Sequence, residues 1–167
     1  MAIVTFKGNP TPLSGNEIKV GVVAPEFTLV ANDLSEKHLS DYAGKIKIIS
    51  IYPSIDTGVC ATQNREFNKI AAGLGEDVVI LSVSVDLPFA QTRFCAAEGI
   101  DKVVTLSDHR ATDFGLKYGF VIDSLRLLAR GVVVIDKNNV VQYVEYVPEV
   151  TTEPDYNAAL AAVKTLV

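Results

Sequence analysis

An α/β fold built on a mixed sheet is predicted by three features of the sequence. Short β-branched runs bounded by Gly, Pro or Asp recur along the chain: "KIKIISIYPS" (45–54), "VVILSVSVD" (78–86), "KVVTLSD" (102–108) and "GVVVID" (131–136). Runs of this kind suit buried strands. Between them lie segments whose apolar residues recur at helical spacing, the alternation of an α/β protein. After "GVVVID" the turn "DKNN" leads at once into "VVQYVEYV"; so short a connection joins antiparallel neighbours, which makes the sheet mixed. With 167 residues the chain is long enough for one well-buried core and short for two, so one domain spanning 1–167 is expected.

The elements follow in order. "IVTFKG", then Asn9, Pro10, Pro12 and Gly15, then "EIKVGVVAPEFTLVAND" read as extended pieces broken by turns, one or two hairpins laid against the main body. "LSDYAGK" supplies a short turn or helical piece stopped by Gly44. Pro53 ends the first central strand. A helix is expected next, because Phe67, Ile70, Ala71 and Leu74 fall at i, i+3, i+4 and i+7, and Gly73 and Gly75 close it. Asp86 and Pro88 read as the N-cap and first turn of a second helix with Ala90, Phe94 and Ala97 on one face, ended by Gly99. "ATDFGLKYG" reads as a short helix. The stretch between "TLSD" and "GVVVID" is the least regular and the expected place of an added loop, with 120–129 following no simple pattern. A capping-box pattern from Thr152 to Asp155, with Pro154 inside it, opens a C-terminal helix whose stripe is Tyr156, Leu160, Val163 and Val167.

Composition narrows the function. Fifteen basic residues are scattered among twenty acidic ones for a net charge of -5; no basic cluster exists to neutralise phosphates, so nucleic acid is not an expected partner. No apolar run reaches the roughly 18 residues of a membrane span. "MAIVTFKGNP" lacks the basic start and apolar stretch of a signal peptide, so a cytoplasmic location and no membrane association are expected. Two cysteines are too few for a disulfide scaffold, and with only His38 and His109 beside them neither a metal site nor a bound cofactor is expected. In a reducing compartment such a pair is either inert or joined transiently during chemistry.

The chemistry concentrates at "YPSIDTGVC", residues 52–60. Thr57 falls at or near an N-cap and Cys60 in the first turn, where unpaired N–H groups and the positive end of the dipole favour thiolate over thiol. A helix end supplies only about 0.3–1 kcal/mol, up to ~2 when partly buried, so a second cationic or hydrogen-bonding group is required for strong activation. Taken singly, each residue has a plainer explanation: a buried small hydrophobe for either cysteine, a cap for Thr57, a strand end for Pro53 and a solvated edge charge for Arg130.

The complete string "YPSIDTGVC" resembles the active-site segment of peroxiredoxins. Together with "DLPFAQTRFC" and "TTEPDY" it is similar to the thiol peroxidase branch, the atypical two-cysteine peroxiredoxins, and the likeness runs from "FKGNP" through "FTLVANDLS" and "FGLKYG" to the last helix. The resemblance implies a thioredoxin-like mixed sheet flanked by helices with an added N-terminal hairpin, a homodimer, and reduction of hydrogen peroxide and alkyl hydroperoxides with thioredoxin as reductant. It makes Cys60 the peroxidatic thiol and Cys95 the resolving one that closes an intramolecular disulfide. Arg130 becomes the cation that stabilises the thiolate and the leaving oxygen, and Thr57 the hydroxyl that helps hold sulfur and peroxide in attack geometry. Pro53 shields the sulfur. Arg65 and Arg93 are candidates for secondary support.

Cysteines on separately packed helices seldom lie within the roughly 4.4–6.8 Å Cα separation of a disulfide, so partial unwinding around Cys60 and Cys95 is expected in each cycle. The chief rival is a thioredoxin-like thiol–disulfide exchange protein without peroxidase activity; it predicts C-x-x-C, which is missing, and gives Thr57 and Arg130 no task. A binding module with two inert cysteines is the second.

Overall fold

The computed structural model describes residues 2–167. It opens with the expected hairpin, β1 (Ile3–Phe6) against β2 (Asn9–Pro12), in which Pro10 and Pro12 are tolerated because the pair stands apart from the main sheet. The next stretch carries few strand residues until a second hairpin, β3 (Thr28–Val30) and β4 (Glu36–His38), followed by a 3-10 turn at Leu39–Tyr42. Gly44 then adopts φ +80°, a left-handed conformation that suits a residue without Cβ.

The alternating part begins with β5 (Ile46–Ile51), α1 (Gly58–Ala72), β6 (Val78–Ser84), α2 (Pro88–Glu98) and β7 (Val104–Ser107). It continues through α3 (Asp113–Tyr118), the two-residue strands β8 (Val121–Ile122) and β9 (Leu127–Leu128), β10 (Gly131–Ile135), β11 (Val141–Tyr146) and α4 (Tyr156–Lys164). Seven strands form the main sheet in the order β11-β10-β5-β6-β7-β3-β4. β5, β6 and β7 run parallel; β10 and β11 on one side and β3 and β4 on the other pair antiparallel, so the sheet is mixed as expected.

Every residue of β5 and β10 is buried, and alternation sends successive side chains into two cores. Ile49, Ile51, Leu81, Val83 and Val133 pack with Phe27, Phe114, Tyr118 and Phe120 on one face. Ile46, Ile48, Ile80, Val132 and Val134 pack with Phe67 of α1 and Ala159 and Val163 of α4 on the other.

Local expectations are corrected in three segments. The segment expected to carry an added loop is instead α3 plus the β8–β9 hairpin, and Phe120, Val121, Ile122, Leu128 and Ala129 are fully buried. Its missing periodicity reflects strands of only two residues and a ring stack: Phe120 lies 4.3 Å from Tyr146 and 6.4 Å from Phe114 between centroids. That stack explains Gly131, where a Cβ would strike the Phe120 ring and the Glu145 carbonyl. In the C-terminal segment the cap is Asp155, which accepts from Ala158 N at 3.0 Å, while the Thr152 hydroxyl donates to Glu149 O; Val167 is exposed and Leu166 packs instead. Asp86 does not cap α2, whose N-cap is Leu87 without a side-chain bond; its carboxylate turns toward residues 54–55. Ala97 is exposed, and α2 faces inward through Ala90, Gln91 and Phe94.

Candidate active site

β5 delivers the chain into the interior, so Tyr52 and Pro53 are buried before the backbone turns at residues 54–57. Thr57 has extended dihedrals (φ −99°, ψ 148°) and is the N-cap of α1, accepting from Cys60 N at 3.2 Å. Cys60 is therefore the third residue of the helix, and it is 0% exposed. It packs in a small cluster with Tyr52 and Ile55, against Ala90 and Phe94 of α2. The Thr57 hydroxyl proton points to Ser54 O at 3.3 Å; in this geometry the residue braces the first turn rather than reaching the sulfur directly.

Arg130 ends the link into β10 and is only 2% exposed. Its Nε donates to Val150 O (2.7 Å) and Nη1 to Gln63 Oε1 (2.8 Å). Gln63 is itself locked, its Nε2 donating to Ser50 Oγ (2.8 Å) and Ile51 O (3.2 Å). No ion pair to Arg130 occurs among the described residues. A buried cation held only by neutral oxygens is costly, and an anion entering beside it relieves that cost.

Arg130, Pro53 and Thr57 line one cavity of about 370 Å³, walled by Phe6, Leu127 and Val150. Arg130 and Lys7 are its charged lining residues, and no carboxylate lines it. The N-terminal hairpin thus supplies part of the site, held by Glu149, whose carboxylate accepts from Thr5 Oγ1 (2.9 Å), Lys7 N (3.1 Å), Gly8 N (2.8 Å) and Thr151 N (2.9 Å). The Thr151 hydroxyl, donating at 2.7 Å, leads the donors that hold the half-exposed Glu149 carboxyl down at about 2.

Cys95 is a half-buried free thiol whose titration is pushed up by burial and partly offset by the Thr105 hydroxyl. On α2, Ala90 and Phe94 face Cys60, whereas Gln91 Nε2 donates to Leu106 O (3.0 Å) and Cys95 meets Thr105 on the adjoining edge toward β7. Successive helical residues point about 100° apart, so Phe94 rather than Cys95 is turned toward the first cysteine. Arg65 spans α1 and α2 on the surface by an ion pair with Glu98 at 3.4 Å, and Arg93 is exposed; neither lines the cavity.

Sequence reasoning missed Gln63, Asn64, Asp86 and Gln91. The signal was present for Gln63, which sits four residues before Phe67 on the stripe that faces the sheet. Asn64 Nδ2 donates to Cys60 O (2.9 Å), and its Oδ1 meets the Ser82–Tyr52 hydroxyl pair; burial pushes the Tyr52 hydroxyl up. Among the described residues, no group of three or more His, Cys, Asp or Glu side chains could hold a metal ion.

Comparison with known proteins shows the family and the fold. The redoxin family model matches residues 19–160. The thiol peroxidase of Oceanobacillus iheyensis is 61% identical over 96% of this chain and 98% of its own length. That of Bacillus subtilis is 56% identical over 100% and 99%. A peroxiredoxin-like protein from Aquifex aeolicus superposes with a TM-score of 0.94 at 45% identity, covering 100% of this chain and 98% of the other. Sheet order, added hairpin and near-full-length identity agree: the chain belongs to the redoxin family, in its thiol peroxidase branch.

Proposed function

We propose that Cys60 is the peroxidatic residue of a thiol-dependent peroxidase acting on hydrogen peroxide and organic hydroperoxides. The observation that carries this is Arg130: a buried guanidinium with neutral partners only, lining an otherwise largely apolar cavity with Thr57 and Pro53 at the start of the Cys60 helix. The Cys60 thiolate attacks one peroxide oxygen; the O–O bond breaks and an S–O bond forms. The leaving oxygen departs as water or alcohol once protonated, leaving a sulfenic acid. Arg130 stabilises charge on sulfur and leaving oxygen through the guanidinium face not engaged by Val150 O and Gln63, and Pro53 excludes water. Thr57 braces the turn through its hydroxyl and forms part of the cavity wall. Phe6, Val59, Leu127 and Val150 give an organic tail an apolar surface.

In the second step the Cys95 thiol attacks the Cys60 sulfenic acid, forming the disulfide and releasing water. A dithiol reductant, thioredoxin in this proposal, returns both thiols. The homodimer, the cytoplasmic location and a single domain over 1–167 belong to the same proposal; no helix among the described residues is long and apolar enough to cross a membrane.

The test is intact mass after stoichiometric hydroperoxide. Wild type is expected to lose two hydrogens, Cys60→Ser to show no fast reaction, and Cys95→Ser to trap one added oxygen. Fast consumption of peroxide by Cys60→Ser would overturn the assignment.

A further inference from the structure

We propose that Ser84 and Asp86 are positioning residues that tie the two cysteine-bearing segments into one opening unit and so set the rate of disulfide formation. This rests on the roles proposed above for Cys60 and Cys95. Asp86 Oδ1 accepts from Ser54 Oγ at 2.8 Å and Oδ2 from Ile55 N at 2.9 Å, the turn that precedes α1. Oδ2 also accepts from Ser84 Oγ at 2.6 Å. The Ser84 hydroxyl in turn accepts from Gln91 Nε2 at 3.2 Å, one helical turn before Cys95. Asp86 O accepts from Ser107 Oγ, anchoring the start of α2 to β7. A continuous polar chain therefore runs from the Cys60 loop through Asp86 and Ser84 to the Cys95 helix.

Ser84 is the hub. It is fully buried at the end of β6, a rigid central strand, and its one proton and two accepting bonds are all engaged. Gln91, by contrast, is fully buried with its Oε1 unpartnered, the sole such side-chain atom among the described residues. An unsatisfied carbonyl oxygen makes the docked helix less favourable than its polar contacts suggest. Beside the Gln91 bond to Leu106 O and the packing of Ala90 and Phe94, the helix is held by a chain that also holds the Cys60 loop, so release of one segment weakens the other.

The two chemical steps depend on this chain unequally. Peroxide attack uses the closed arrangement, which is the main population; the resolving attack uses an opened one, because Phe94 and not Cys95 faces Cys60 when α2 is docked. Loosening the hub multiplies the minor population while hardly depleting the major one. The resolving step joins Cys95 sulfur to Cys60 sulfur as the sulfenic S–O bond breaks, with the Cys95 proton leaving in water.

The experiment measures both steps in single turnover by acid quench and intact mass for wild type and Ser84→Ala, and again for peroxide attack alone in the Cys95→Ser background. Ser84→Ala is expected to raise the rate of disulfide formation roughly three- to ten-fold, as loss of one buried hydrogen-bond hub allows. Peroxide attack should stay within about two-fold, and more peroxide should be needed to over-oxidise Cys60. Unchanged or slower disulfide formation, or equal changes in both steps, overturns the proposal. If Ser84→Ala does not fold, amide exchange of the wild type decides: residues 54–62 and 87–97 must open with one common free energy, and distinct values overturn it. Failure of the underlying mechanism looks different, since wild type would then gain no disulfide at all.

Discussion

Arg130 shows most clearly how a single side chain can be set by its surroundings. Two of its faces are consumed by Val150 O and the Gln63 amide, and Gln63 is fastened to the end of β5. The guanidinium fork satisfies both partners and still presents N–H groups to an anion; an ammonium on a flexible stem cannot span the same points. Arg130→Lys is expected to slow peroxide attack about 100-fold or more, the scale of losing a preorganised donor to a developing anion, as read in single turnover. Gln63→Leu leaves the guanidinium under-satisfied and should slow attack by a smaller factor; Gln63→Glu, which gives the buried cation a resident anion and loses the donors to Ser50 and Ile51, should not restore it.

At the scale of elements, two carboxylates, Glu149 at the site's hairpin and Asp108 beneath α3, respond oppositely to pH. Glu149 clamps the N-terminal hairpin and is depressed to about 2 from an ordinary 4.5. A depressed carboxyl contributes stability that is present above the unfolded value and lost as pH falls through the folded one. The hairpin, and with it the Phe6 wall of the cavity, is expected to loosen between about pH 4.5 and 2, visible as falling amide protection factors at residues 5–8; Glu149→Gln should show weaker protection already at pH 7. Asp108 is the converse. Buried beneath α3, it accepts from Phe114 N (3.1 Å) and Gly115 N (2.8 Å), yet burial raises it to about 6 from 3.8. Its contribution is fully present below 3.8 and lost as pH rises through about 6. The stability of wild type relative to Asp108→Asn should therefore fall across that window in urea titrations and level off above it.

For the whole molecule, stability and chemistry draw on different parts of the two-layered core. Phe67 joins α1 to the sheet and to Tyr156 of α4, with ring centroids 5.3 Å apart, on the face away from the Phe114–Phe120 stack. Phe67→Ala is expected to cost about 3–5 kcal/mol in chemical denaturation, while the folded fraction retains its rate of peroxide attack. A matching loss of rate would show that the start of α1 depends on the packing of its far end.

The sequence by itself determined the elements whose signals are local. Long β-branched runs announced β5, β6, β7 and β10, the "DKNN" turn announced the β10–β11 pairing, and the Thr57-to-Cys60 spacing announced a capped helix start, because strand burial, turn geometry and capping act within a few residues. Only the tertiary structure decided which distant groups meet: that Arg130 and Gln63 interlock, that Asp86 serves the turn at residues 54–55 instead of capping α2, and that Phe120, Val121, Ile122, Leu128 and Ala129 are core while the hairpin tip between them is exposed. Those outcomes follow from buried polar atoms and rings finding partners across the fold, and the requirement that they be satisfied carries no period along the chain.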